Sequence, residues 1–192
     1  AAFQSAAPYP AYLDTAQPHE RPNWTSFASR VSLTEAQKSL IRGFARRVNV
    51  LVISGTWCGD CVQQVPILDA IARVHPAPVN DPTARKPGVD LRIVDRDRHA
   101  DFTRHFSICG GGRVPVAIFL NEEFDFVALA GDRTLARYRR MAEARLGASC
   151  PLPGAPVAED EVAAATAEWL DYCERVALLL RLSTKLRAFH GD

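Results

Sequence analysis

No apolar stretch in these 192 residues approaches the ~20 that a membrane-spanning helix needs. Charge of one sign is also lacking. The 23 Lys and Arg against 22 Asp and Glu leave a formal net charge of +1. That balance argues against the basic footprint of a nucleic-acid or anionic-membrane binder. Cysteine is scarce: five residues are too few for a disulfide-stapled mini-domain, and an odd count leaves at least one thiol unpaired within the chain. There is no internal repeat and no low-complexity tract. No basic segment followed by an apolar core and a small-residue cleavage site is visible, so a cytoplasmic location is expected, although the first residue is Ala1 and not Met. What remains is ordinary globular composition, 47% hydrophobic and 23% charged, in a chain long enough for one domain with extensions.

Residues 1–30 read as an arm. Pro8, Pro10, Pro18 and Pro22 deny long regular elements, and Tyr9, Tyr12, Trp24 and Phe27 suit an arm that packs on something. Residues 31–147 read as the main domain and 148–192 as a linker with a C-terminal helical extension. Ser32-Leu33-Thr34-Glu35 fits a capping box ahead of a helix to about Arg47. Residues 48–53 (VNVLVI) form a β-branched buried strand, and a helix can run from Cys58 to about His75. Four prolines and a glycine make 76–88 a loop. Residues 89–95 suit a strand, and 98–107 a short helix. Residues 116–120 and 124–130 suit a hairpin, and Asp132 can cap a helix that ends at Gly147. The last helical segment, about 158–188, is too long for a small body and should break near Ser183-Thr184, wrap across the domain or project to pair with a second copy; the chain is expected as a monomer or a dimer through this helix. Alternation of strands and helices ahead of a hairpin predicts an α/β fold, a small mixed sheet flanked by helices.

Residues 57–61 read Trp-Cys-Gly-Asp-Cys between a predicted strand and a predicted helix. Cysteines at i and i+3 on a helical turn reach disulfide distance with little backbone change. The first sulfur sits among orphan helix amides that favour a thiolate, and the second lies deeper and less acidic. This asymmetry makes Cys58 the nucleophile toward a substrate disulfide and Cys61 the resolving thiol, with Trp57 shielding one side. A lone CxxC can also be half of a zinc site or a static disulfide. Zinc wants four ligands, and no second CxxC or HxxxH occurs, so no metal is expected.

With its flanks, the motif resembles the thioredoxin superfamily over roughly residues 48–146. Ser54 to Cys61 is similar to bacterial thioredoxin-like proteins that carry Trp-Cys-Gly-Asp-Cys. Pro66, eight residues after Cys58, matches a helix-kinking proline. Val114-Pro115 precedes a strand as the family's cis-proline does, and Gly131 follows the hairpin at the place of an active-site glycine. The resemblance implies a thioredoxin fold and a cis peptide before Pro115. It also implies a substrate-docking groove formed by Trp57, Gly59, Asp60, Val114, Pro115 and Gly131. No cofactor is implied beyond a redox-active Cys58–Cys61 disulfide; the partners are a disulfide-bearing protein and an external reductant. Two family positions differ: a buried aspartate is replaced by Val52 and a lysine by Leu91. Asp60 stands for a proline; as a carboxylate near Cys58 it opposes thiolate formation, or it is a solvated first-turn acid. On the first reading Cys58 is less acidic than in strongly oxidising relatives, which favours a reductase.

Other residues read blandly. Cys109 opens Cys-Gly-Gly-Gly-Arg ahead of Val114; it is a candidate auxiliary thiol, with a small apolar residue at the loop base as the preferred reading. Cys150 and Cys173 can pair, but Cys173 shares a helical stripe with Val162, Trp169, Val176 and Leu180 that suits a buried free thiol. Asp95, Asp97, His99 and Asp101 alternate with arginines as a solvated charge run, and Arg137, Arg139 and Arg140 suit a solvent face. His19, His75, His105 and His190 suit surface or capping roles. The expected function is thiol–disulfide exchange. A binding module with little turnover, kept open by Val52, and a narrow peroxide or small-disulfide reductase are the alternatives.

Overall fold

The computed structural model describes residues 2–77, 87–146 and 157–191. The expected linker, Cys150 and the helix end at Gly147 lie outside them. Strand β1 (Arg47–Ser54) is buried along its whole length, as a β-branched run with neighbours on both sides must be. Strand β2 (Gly88–Asp95) pairs with it in parallel on one side and β3 (Val116–Leu120) antiparallel on the other. Strand β4 (Phe126–Gly131) closes the hairpin, giving the order β2-β1-β3-β4. This is the mixed sheet expected from the element order.

The arm folds as three short helices, α1 (Ala2–Ser5), α2 (Tyr9–Leu13) and α3 (Arg21–Ala28). It joins the core and does not hang free. Ala7 bridges to Ile93 of β2, and Tyr12 and Trp24 are fully buried with their rings edge-on at 6.0 Å. The Trp24 indole N–H donates to the Thr56 carbonyl at 2.8 Å, so the arm holds the loop just ahead of Cys58.

Helix α4 (Glu35–Arg42) has its capping box two residues later than expected: Thr34 and Gln37 satisfy each other's backbone amides. Thr34 is extended, so it takes the cap position that Ser32 was expected to hold. The expected helix from Cys58 to His75 is two pieces, α5 (Gly59–Val62) and α6 (Val65–Val74). Gln64 leaves helical geometry between them, and Pro66 sits in the first turn of α6, where its missing N–H costs nothing. Helix α7 (Ala100–Thr103) runs into a 3₁₀ turn, and α8 (Leu135–Leu146) follows β4.

Helix α9 (Glu161–Leu182) packs on β1, β4, α6 and α8 through Trp169, Cys173, Val176 and Leu180. It ends at Ser183, which caps α10 (Thr184–His190), so the chain breaks where its length required. Cys173 is a buried free thiol, and burial pushes its pKa up to about 12. Among the described residues no helix is long and apolar enough to cross a membrane.

Replacing a fully buried tryptophan removes packing and orphans a carbonyl. Trp24→Ala is expected to cost about 3–5 kcal/mol, and Trp24→Phe, which keeps a ring but loses the hydrogen bond, clearly less. Denaturant midpoints of the two variants check this ordering.

Candidate active site

The turn between β1 and α5 brings the two sulfurs together. Cys58 is extended and acts as the N-cap of α5, its Sγ accepting from the Cys61 amide at 3.4 Å. Its own amide donates to the Gly55 carbonyl at 3.0 Å, which closes the turn. Both cysteines are free thiols. Cys58 keeps 8% of its surface and Cys61 none, so any attack from outside begins at 58. The Cys58 pKa falls to about 7, chiefly because the Cys61 thiol donates to it. Burial opposes the shift, the Cys61 and Asp60 amides assist it, and the Asp60 charge works slightly against it. A four-residue α5 has little macrodipole, so local donors do what a long helix was expected to do. A value near 7 is far from the roughly 4 of a strongly oxidising cysteine. Cys61 moves the other way: burial first, then the neighbouring Cys58 sulfur, pushes its pKa well up.

The peptide between Val114 and Pro115 is cis. It sets the Val114 carbonyl 3.5 Å from Cys58 Sγ, with both residues buried. Gly131 lies opposite, at φ +142°, where a Cβ would sit 2.4 Å from the Pro115 carbonyl oxygen. Only glycine fits both that conformation and that approach. The Gly131–Asp132 peptide is also cis. Gly59 is exposed, and a Cβ there meets nothing within 4 Å. Of the residues expected to form a groove, Trp57, Gly59 and Gly131 face solvent, and Val114 and Pro115 are buried.

Several neighbours differ from their bland readings. Asp60 is not solvated: Arg133 pairs with it at 2.6 Å and Arg137 at 3.6 Å. Asp132 does not cap α8. Thr134 accepts the Arg137 amide instead, and Asp132 is buried against the Tyr138 hydroxyl, Arg113 and Arg133. Burial alone would raise the Asp132 pKa, but the Tyr138 hydroxyl, its own backbone amide and the two arginines hold it below the usual carboxylate range. Gln64, at the break between α5 and α6, donates to the Asp60 and Asp132 carbonyls and ties the α5 turn to the chain after Gly131. The supposed charge run steadies Trp57. Arg96 stacks over the indole at 4.6 Å, Asp97 accepts from its N–H at 3.3 Å, and Gly55 leaves room beneath the ring.

Cys109 is exposed, not apolar filling. With Gly110 it occupies the two positive-φ positions of a tight turn closed by Ile108 and Gly111, which projects it outward. Arg137 and Arg140 both reach Glu161, and His190 packs against Glu122 and Glu123, so neither the arginines nor this histidine is a plain surface group. Arg96, Asp97, Arg133 and the arm residues behind the turn were missed because their partners are distant in sequence. The one local sign was Gly55, two residues before Trp57.

A family model described as Thioredoxin matches residues 6–135. The chain belongs to the thioredoxin family. The match begins inside the arm, at the residue before the Ala7 bridge to β2. No curated protein matches the sequence. Among solved structures, a Pseudomonas aeruginosa protein of unknown function is similar over 90% of this chain and 95% of its own, at 21% identity and a TM-score of 0.66. An HIV epitope-scaffold is similar over the same shares at 19% identity and a TM-score of 0.65. These likenesses concern the fold. Family and fold together make this a thioredoxin-type redox or binding module.

Alkylation of Cys58 should rise with pH through a midpoint near 7, as the thiolate forms. Arg133→Ala leaves the Asp60 carboxylate less compensated, so it should move that midpoint upward and slow alkylation at neutral pH. Gly131→Ala should destabilise the fold by a few kcal/mol, about 2 or more, while Gly59→Ala stays within ~1 kcal/mol, as thermal or denaturant unfolding will report.

Proposed function

We propose that this chain is a thiol–disulfide oxidoreductase that reduces protein disulfides through Cys58 and Cys61. The observation that carries the reading is the division of labour between the sulfurs: 58 at the surface edge, receiving the amide hydrogen bond of residue 61, and 61 sealed one turn behind it. The Cys58 thiolate attacks one sulfur of a substrate disulfide. That S–S bond breaks, a mixed disulfide forms, and the first substrate thiolate leaves and takes a proton from water. Cys61 then loses its proton to water, attacks the Cys58 sulfur and expels the second substrate thiolate, which is protonated in turn. Two electrons pass from the dithiol to the substrate, and an external dithiol restores the pair.

Trp57, Val114, Pro115 and Gly131 frame the approach to Cys58, and the Val114 backbone offers an extended substrate segment main-chain pairing. Gly59 and Asp60 complete the rim. A pKa near 7 leaves a useful share of thiolate at neutral pH without making the thiolate form so stable that the oxidised protein becomes a strong oxidant. That supports reduction as the direction. The exposed Cys109 is proposed as an auxiliary thiol at most, since the two-thiol cycle is complete without it.

Insulin reduction driven by dithiothreitol tests the reading. Wild type should turn over, Cys58→Ser should fall to background, and Cys61→Ser should accumulate mixed disulfides at Cys58. Turnover that survives Cys58→Ser would remove this mechanism. Stable partner capture without turnover in the wild type would favour a binding module.

A further inference from the structure

The end of the sheet opposite the Cys58 turn carries a second cluster of charged side chains. Strand β3 runs from Val116, beside Ile53, to Leu120, beside Asn49. The turn after β3 therefore lies near the start of β1, whereas the Trp-Cys-Gly-Asp-Cys loop follows its end. Asn121 shapes that turn: its side-chain oxygen accepts the Glu123 amide at 2.9 Å and the Asp125 amide at 2.7 Å. Two successive glutamates, 122 and 123, meet His190 from the end of α10. The ring Nε2 stands 3.3 Å from Glu123 Oε1 and 3.9 Å from Glu122 Oε2. One potential ligand atom from each of the three lies within 4.8 Å of the other two.

The cluster is nearly closed to solvent: the Glu122 side chain is 2% exposed and that of His190 10%. Arg46 donates to Glu122 Oε1 at 2.6 Å and fixes that carboxylate. Glu122 Oε2 receives no hydrogen bond, and His190 Nε2 makes none. A carboxylate oxygen sealed from water without a donor is costly. A protonated imidazole would relieve it only through an N–H bond, and 3.9 Å is too long for one. A cation seated among the three atoms satisfies them all. Zinc holds imidazole nitrogen and carboxylate oxygen at about 2.0–2.2 Å, so ligands on its tetrahedron stand about 3.3–3.6 Å apart. The 3.3 Å edge matches, and the 3.9 Å edge closes with a small side-chain movement. An imidazole in the set favours zinc over magnesium and calcium, which prefer oxygen throughout.

We propose that Glu122, Glu123 and His190 form a site for a zinc-class divalent cation, one nitrogen and two carboxylate oxygens, that clasps α10 to the turn between β3 and β4. Arg46 orients Glu122 from behind, as groups just outside a metal's ligands do. Water takes the fourth position of the tetrahedron. The role is structural, a tie between the C-terminal extension and the sheet. It goes beyond the disulfide-exchange reading and does not rest on it, since the site uses no thiol and lies at the other end of β1. No local motif announces it: two ligands are adjacent in a turn, and the third comes from α10, far along the chain.

Thiols also bind zinc, so the test uses the full chain carrying Cys58→Ser and Cys61→Ser. Zinc chloride is titrated into this metal-free parent at neutral pH by isothermal calorimetry, and thermal unfolding is followed with and without the metal. One equivalent should bind. Zinc at about a hundredfold its dissociation constant should raise the unfolding midpoint by about 5 °C or more. His190→Ala, at a helix end, and Glu123→Gln, in a turn, should each weaken binding at least roughly tenfold and remove most of that rise. Metal-free melts report whether each variant is folded, and if one is not, the other decides. Magnesium chloride in place of zinc should bind at least roughly a hundredfold more weakly. Binding left unchanged by both variants, or magnesium held as tightly as zinc, would overturn the site. So would the absence of a bound equivalent, which would leave His190 as a plain ion-pair partner of the two glutamates.

Discussion

The amide of residue 61 donates to the sulfur of residue 58 at 3.4 Å, and the site depends on that contact. It requires the turn after β1 to tighten at Gly55 and Cys58 to stay extended as a cap. It also requires Cys61 to sit where no water reaches it. Each condition is met by a different part of the fold. The all-buried β1 fixes the start of the turn, the break at Gln63–Gln64 lets α5 be a single turn, and the cis-proline segment covers the open side. The acidity of the first thiol is therefore a property of the turn and its local donors, and only weakly of a helix.

The surrounding charges keep this arrangement near neutrality. A carboxylate two residues from the nucleophile would oppose its ionisation in isolation. Arg133 lies on it and on Asp132 at once, and Gln64 links the backbone of both acids, so the α5 turn and the segment after β4 form one polar assembly. Arg96 and Asp97 hold the Trp57 ring in place while it remains half exposed.

The element order, the mixed sheet and the spacing of Cys58 and Cys61 were legible because each is written in a short stretch. Examples are the β-branched run at 48–53, the prolines that end helices, and two cysteines one helical turn apart. The break near Ser183, by contrast, was one of three alternatives drawn from the segment's length, and the place of Pro115 came only from the family resemblance. The capping box was misplaced by two residues because Ser32 and Thr34 are both competent caps, and only the backbone angle at Thr34 decides between them. Asp132 read as a cap for a similar reason; nothing local says that Arg113, nineteen positions upstream, and Tyr138 will bury it. The arm was read as packing without a partner. Its partners, Thr56 and Ser54, lie more than thirty residues away, and such contacts leave no periodic trace.

The most direct test is to oxidise the reduced protein with a single equivalent of a protein disulfide and locate the resulting crosslink by peptide mapping. The account predicts a bond between Cys58 and Cys61, with the substrate disulfide fully reduced in equal amount. A crosslink through Cys109 or Cys173, or a substrate reduced while Cys58 and Cys61 both remain alkylatable, would contradict it.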